Sequence, residues 1–155
     1  MKKNAVQEEY APKSICFGCG PANEKGLRIK SYRNGEGLEM EFETSEEHMA
    51  FEGVINGGII GTLIDCNGNW TAAIALMDKL KLKEAPCTVT AQYEVKLKRP
   101  TPYNATLFLK SRVLVIGEDR AEIIIELKAN EKTCATGRGL FVIVKEGHPA
   151  YHRWK

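Results

Sequence analysis

The stretch FEGVINGGIIGTLIDCNGNWTAA, residues 51–73, decides how the rest of the chain is read. From Ile59 onward its apolar residues recur at helical spacing: Ile59, Ile60, Leu63 and Ile64, then Ala72 and Ala73, with Leu76 and Leu80 beyond the quoted segment. Positions three and four apart share one face of an α-helix, so the spacing predicts a single long helix with an apolar stripe. Asn56 stands where a side-chain oxygen can cap the first free amides. The helix is expected to end near residues 78–81. Two features do not fit a plain core helix. Gly57 and Gly58 open it with bare backbone, and Asp65 interrupts the apolar run between Ile64 and Cys66.

Outward from the helix, the chain reads as strands. Upstream, a Gly/Pro-rich segment at residues 16–26 leads into LRIKSY and LEMEFE, separated by RNGEG. Asn34-Gly35 between two alternating runs signals a hairpin, because its tight turn needs residues that accept positive φ. Downstream the period changes to two. In TVTAQYEVKLK, strict alternation puts Val89, Ala91, Tyr93, Val95 and Leu97 on one face and Thr88, Thr90, Gln92, Glu94 and Lys96 on the other. Pro100 and Pro102 end that strand. ATLFLKSRVLVIG, AEIIIELKA and TCATGRGLFVIVK follow, divided by GEDR and NEK turns. A hairpin, one long helix and four antiparallel strands predict an α+β fold, a sheet wrapped over one helix. The 155 residues suit a single domain, 1–155. Residues 1–13 are polar and expected to be flexible. Residues 146–155, EGHPAYHRWK, read as a C-terminal tail that Tyr151 and Trp154 can dock.

Composition narrows the function. A net charge of +2 is too small an excess to argue for nucleic acid. No stretch approaches the ~18–20 uninterrupted apolar residues of a membrane helix. MKKNAVQEEYAPK has no apolar core behind its lysines, so no signal peptide is read there and a cytoplasmic protein is expected. Five cysteines, an odd number, point to free thiols. Cys16-Phe-Gly-Cys19 is a lone CxxC. A structural zinc takes four ligands, and Cys87 and Cys134 are isolated, so no metal is expected. Cys66 reads as a small buried thiol, because no histidine in the helix activates it. His48, His148 and His152 have no metal-ligand spacing, and His48 is assigned to the loop before the helix.

Both anomalies of the helix have a structural and a chemical reading. The glycines can let the helix pack tightly against the sheet, or leave amides bare for a ligand oxygen at the positive end of the helix. Asp65 can anchor a loop, or act as a base or nucleophile tuned by desolvation. Asn56-Gly57-Gly58, six residues and then Asp65, preceded by His48-x-x-Phe51-x-Gly53, resembles the signature of hotdog-fold acyl-CoA thioesterases of the PaaI-like group. VTAQYEVKLKRPTP resembles that family's central strand, and CFGCGPANEKGLRI the N-terminal segment of one of its branches. The resemblance spans roughly residues 15–145.

The resemblance implies a hotdog fold and hydrolysis of an acyl-CoA thioester with no metal or organic cofactor. Asp65 falls on the catalytic carboxylate position. Gly57 falls on the residue whose amide polarises the carbonyl, with Gly58 beside it at the substrate, and Thr90 on a hydroxyl position near the carboxylate. Asn56 takes the place of a histidine common in the family; it can cap and hydrogen-bond but cannot titrate. Ala50 stands where some relatives carry an amide. Asn69, four residues after Asp65, shares its helix face and is a candidate to orient water or the carboxylate. Lys96, Lys98, Arg99 and Arg138 are solvated surface or, for a coenzyme A ligand, partners for its phosphates. The implied assembly is a homodimer with shared active sites, or a homotetramer built from it. The main rival is an acyl-CoA-binding or sensing module without turnover. A hydratase is disfavoured because no histidine accompanies the carboxylate.

Overall fold

The computed structural model describes residues 3–155. A short helix α1 (Val6–Tyr10) precedes the hairpin β1 (Tyr32–Asn34) and β2 (Gly37–Glu43). A 3-10 turn (Glu46–His48) and a small ladder of β3 (Met49–Phe51) and β4 (Val54–Ile55) lead to the long helix α2 (Gly57–Leu80). Four strands follow: β5 (Thr88–Leu97), β6 (Thr106–Ile116), β7 (Arg120–Ala129) and β8 (Lys132–Ile143). All neighbours in the main sheet are antiparallel, in the order β1-β2-β6-β7-β8-β5. This six-stranded sheet wraps around α2, which is the hotdog architecture.

Local chemistry explains the boundaries. Gly35 adopts φ +54° at the tip of the β1–β2 turn. Asn56 caps α2, its Oδ1 accepting from the amides of Gly58 at 2.7 Å and Ile59 at 3.3 Å. Lys81 ends the helix in the left-handed region, φ 56°. Sheet and helix meet closely where side chains are absent: a Cβ on Gly68 would lie 2.9 Å from Phe141 Cζ.

Helix α2 is buried over far more than one stripe. From Ile60 to Met77 its buried positions include Asn67, Asn69 and Thr71 as well as the apolar residues. The sheet covers one side: Ile64 lies against Gly137, and Gly68 against Phe141 and Ile125. The N-terminal segment covers the other, with Ala5, Val6, Ala11, Cys19 and Ile29 buried in the core. Of the segment expected to be flexible, residues 1–13, the described part buries Ala5, Val6, Gln7 and Ala11. Gln7 is fully buried; its Oε1 accepts from the Ser31 amide at 2.8 Å and its Nε2 donates to Ser31 Oγ. Asn67 of α2 donates to the same hydroxyl at 3.2 Å. Two short polar side chains thus hold a segment whose sequence alone carries little apolar surface. Met1 and Lys2 lie outside the described residues.

The C-terminal tail docks through Trp154, which stacks on Trp70 of α2 at a centroid distance of 4.2 Å. Arg153 donates to the Thr88 carbonyl at 2.7 Å. Trp154 is only 3% exposed. Trp154→Ala is therefore expected to lower unfolding stability by about 3 kcal/mol, a typical loss for truncating a buried tryptophan, measured by urea denaturation.

Candidate active site

Asp65 occupies the third turn of α2, half-buried, with its side chain directed at β5. Thr90 Oγ1 donates to Asp65 Oδ1 at 2.6 Å. One carboxylate oxygen is thereby fixed. Burial pushes the Asp65 carboxyl above the ordinary 3.8, while the Thr90 hydrogen bond favours the charged form and opposes that rise. The charge of Cys16 adds to the rise and Arg153 works against it.

Strict alternation along β5 predicts Thr90 on the face opposite Tyr93. The structure corrects this through a β-bulge. Thr90 pairs with Phe141, but Gln92 pairs with the very next residue, Leu140, so Ala91 is the extra residue. Tyr93 then pairs with Gly139, Val95 with Gly137 and Leu97 with Ala135. A bulge shifts the pleat by one residue. Thr88 and Thr90 before it, and Tyr93, Val95 and Leu97 after it, all turn toward α2. One strand thus presents hydroxyls to the middle of the helix and apolar groups to its start.

At that start, Gly58 spends its amide on the Asn56 cap. The Gly57 amide finds no acceptor among the described residues. A Cβ on Gly57 would meet only Leu97 Cδ1, at 3.4 Å, which is ordinary contact. Close packing within the chain therefore does not require glycine at this position. A Cβ on Gly58 would press on Asn56 Oδ1 at 2.9 Å, so Gly58 serves the cap. Asn56 itself is a capping residue whose oxygen is already engaged.

Three other candidates find different places. Asn69 does not bond to Asp65: its Oδ1 accepts from Thr88 Oγ1 at 2.7 Å, and the residue is buried. It clamps helix to strand. Arg138 projects from the outer face of the sheet, away from α2, and pairs with Glu122 at 2.9 Å. The groove of about 770 Å³ that it helps to line lies on that outer face and does not include Asp65. Arg99 is exposed beyond the end of β5, its Nε donating to the Thr133 carbonyl. Because Leu97 touches the Gly57 position, Arg99 stays at the same end of the molecule as the helix start. His48 is structural as expected: its Nδ1 accepts from the Ser45 amide at 2.9 Å.

Sequence reasoning missed the neighbours of Asp65 that come from the chain ends. Arg153 lies in a tail with no motif. In the sequence Cys16 is half of a lone CxxC, yet Cys16, Cys19 and Cys66 bring their sulfurs within 4.8 Å of one another.

Gly57 and Asp65 are eight residues apart, roughly 12 Å along the helix axis at ~1.5 Å per residue. One thioester cannot touch both within a single chain. Near the start of α2, apolar side chains face solvent: Leu97, beside Gly57, is 59% exposed, and Tyr93, against Gly61, is 44% exposed. Both belong to β5, which is an edge strand of the main sheet.

No protein-family model matches the chain, and no curated protein matches it. Solved structures do. A thioesterase superfamily protein from Shewanella loihica PV-4 is 29% identical, with a TM-score of 0.64 over 76% of this chain and 91% of that one. A phenylacetic acid degradation-related protein from Ralstonia eutropha JMP134 is 18% identical, with a TM-score of 0.62 over 76% and 86%. A thioesterase from Thermus thermophilus, solved with coenzyme A and zinc, is 19% identical, with a TM-score of 0.57 over 73% and 83%.

Proposed function

We propose that this chain, which has the hotdog fold of thioesterase-superfamily proteins, is a thioester hydrolase that acts on an acyl-CoA. The observation that carries the reading is the pairing of two unusual groups on one helix. Asp65 is a half-buried carboxylate oriented by Thr90, and Gly57 offers at the helix start an amide with no acceptor among the described residues. The coenzyme A bound to the Thermus thermophilus thioesterase supports this thiol as the leaving group.

The chemistry needs no further group. Asp65 as general base takes a proton from water while the water oxygen bonds to the thioester carbonyl carbon. The carbonyl electrons move onto oxygen, where a Gly57 amide stabilises the oxyanion. Collapse of the tetrahedral intermediate expels the coenzyme A thiolate, which the Asp65 carboxylic acid protonates. Direct attack by Asp65, followed by hydrolysis of the anhydride, uses the same atoms. Thr90 acts through Asp65 and is a positioning residue. Since one helix cannot supply both groups to one carbonyl, the Gly57 amide comes from a second subunit. The apolar border of β5 is the surface that this partner covers, because an exposed apolar edge strand invites pairing. Arg99, exposed at the Gly57 end, is our candidate to meet a coenzyme A phosphate, ahead of Arg138, which pairs with Glu122 on the outer face.

The direct experiment is thiol release over a panel of acyl-CoAs of increasing chain length. Release at enzymatic rates on at least one member is expected. Tight binding without release on any member identifies a sensing module instead. The latter reading draws on one observation: Asn56 cannot titrate, and its oxygen is engaged in the cap.

The pH dependence has a fixed sign. The reaction needs ionised Asp65, so kcat rises with pH through the raised Asp65 pKa, above 3.8, and then levels off. Removing the Thr90 hydroxyl removes a bond that favours the carboxylate. Thr90→Val therefore moves the acid limb to higher pH. A limb that stays in place separates Thr90 from the reacting carboxylate.

A further inference from the structure

We infer that Cys16, Cys19 and Cys66 form a binding site for a zinc-class divalent cation that ties the N-terminal loop to helix α2 beside Asp65. Two of these residues lie on the loop and the third on the helix, yet all three sulfurs lie within 4.8 Å of one another. None is in a disulfide. Zinc–thiolate bonds of ~2.3 Å in tetrahedral geometry place sulfurs ~3.8 Å apart, so the cluster closes around an ion by about an ångström at most. Soft thiolate sets select zinc-class ions over magnesium or calcium.

Trp70 Nε1–H donates to Cys19 Sγ at 3.4 Å. Such a donor orients a metal-bound sulfur. The loop is held in shape before any ion arrives. The Gly20 amide bonds to the Cys16 carbonyl at 2.8 Å, and the Ile29 amide to the Gly18 carbonyl at 3.0 Å. Gly18 allows the contact with the helix, since a Cβ there would collide with Cys66 Sγ. Cys19 and Cys66 are buried, whereas Cys16 keeps a path to solvent. On binding, three thiols release their protons to solution as three sulfur–metal bonds form, with no change of oxidation state. The Asp65 carboxylate is not among the clustered donors, so the fourth position goes to water. The role is positional: the ion fixes the helix turn that carries Asp65.

The site is tested on the full chain. Reduced, metal-free protein is titrated with Zn²⁺ and, separately, with Co²⁺. About one equivalent of either is expected to bind, Co²⁺ with a thiolate charge-transfer band, and Zn²⁺ raises Tm. Cys66→Ser and Cys19→Ser are expected to weaken binding at least tenfold, while Cys134→Ser, outside the cluster, leaves it unchanged. Because a cysteine variant can fail to fold, the wild-type Co²⁺ spectrum is decisive by itself. Failure of the reduced wild type to bind, a spectrum without thiolate bands, or metal binding untouched by Cys66→Ser in a folded variant each overturns the site. So does a Cys16–Cys19 disulfide in metal-free protein purified without reductant that Zn²⁺ does not prevent. None of these readouts depends on thioester hydrolysis.

Discussion

Asp65→Asn is expected to lower kcat by about 10²–10⁴-fold, the usual contribution of a positioned general base, without loss of the fold. Asparagine keeps the shape and still accepts from Thr90 Oγ1 through its carbonyl oxygen, so the strand contact survives. What disappears is the group that takes the proton or attacks the carbonyl. Stability provides a second, independent readout. The folded-state pKa of Asp65 is raised, mainly by burial. A raised carboxyl contributes stability that is present below its unfolded value near 3.8 and is lost as pH rises through the folded pKa. At neutral pH the ionised, partly desolvated carboxylate is therefore a burden that asparagine lacks. The variant is expected to melt at or above the wild-type temperature at pH 7, with any excess shrinking as pH falls toward 3.8. Thiol release and thermal melting across pH check both halves. A variant that retains most of its activity rules out Asp65 as the reacting group. A folded variant that melts well below wild type at pH 7 instead identifies Asp65 as a loop or helix anchor.

Mixing two inactive proteins is expected to restore activity. One carries Asp65→Ala and the other Gly57→Val. The valine blocks close approach to the amide, and the structure accommodates it because the space around Gly57 is open apart from Leu97 Cδ1. If each site takes Asp65 from one subunit and Gly57 from the other, a mixed dimer has one site with both lesions and one with neither. Random exchange makes about half of the dimers mixed, and half of their sites are intact. About a quarter of wild-type activity is therefore expected after equal mixing, against almost none for either parent. The measurement is thiol release after subunit exchange, with exchange confirmed by native mass spectrometry. Confirmed exchange without recovery means that one of the two groups does not act on the thioester.

The sequence by itself determined the long helix, its capped start and most strand boundaries. These follow from local rules: the spacing of Ile59, Ile60, Leu63 and Ile64, the side-chain oxygen of Asn56, and the turn at Asn34-Gly35. It also marked Asp65, because a carboxylate inside an apolar run demands an explanation wherever the run is buried. The tertiary structure alone decided what those residues meet. Alternation along β5 put Thr90 on the wrong face, since a bulge at Ala91 depends on how β8 pairs and leaves no mark on the period. Asn69 shares the helix face of Asp65 but is taken by Thr88, a partner that only strand packing supplies. Arg138 carries the right charge on the outer face of the sheet, and periodicity cannot say which face of a strand a second layer will cover. The polar start of the chain docks because Gln7 and Asn67 converge on Ser31, although they lie on separate elements. Cys66 completes a trio with Cys16 and Cys19 for the same reason: short-range patterns see spacing along the chain, whereas a ligand site is a convergence in space.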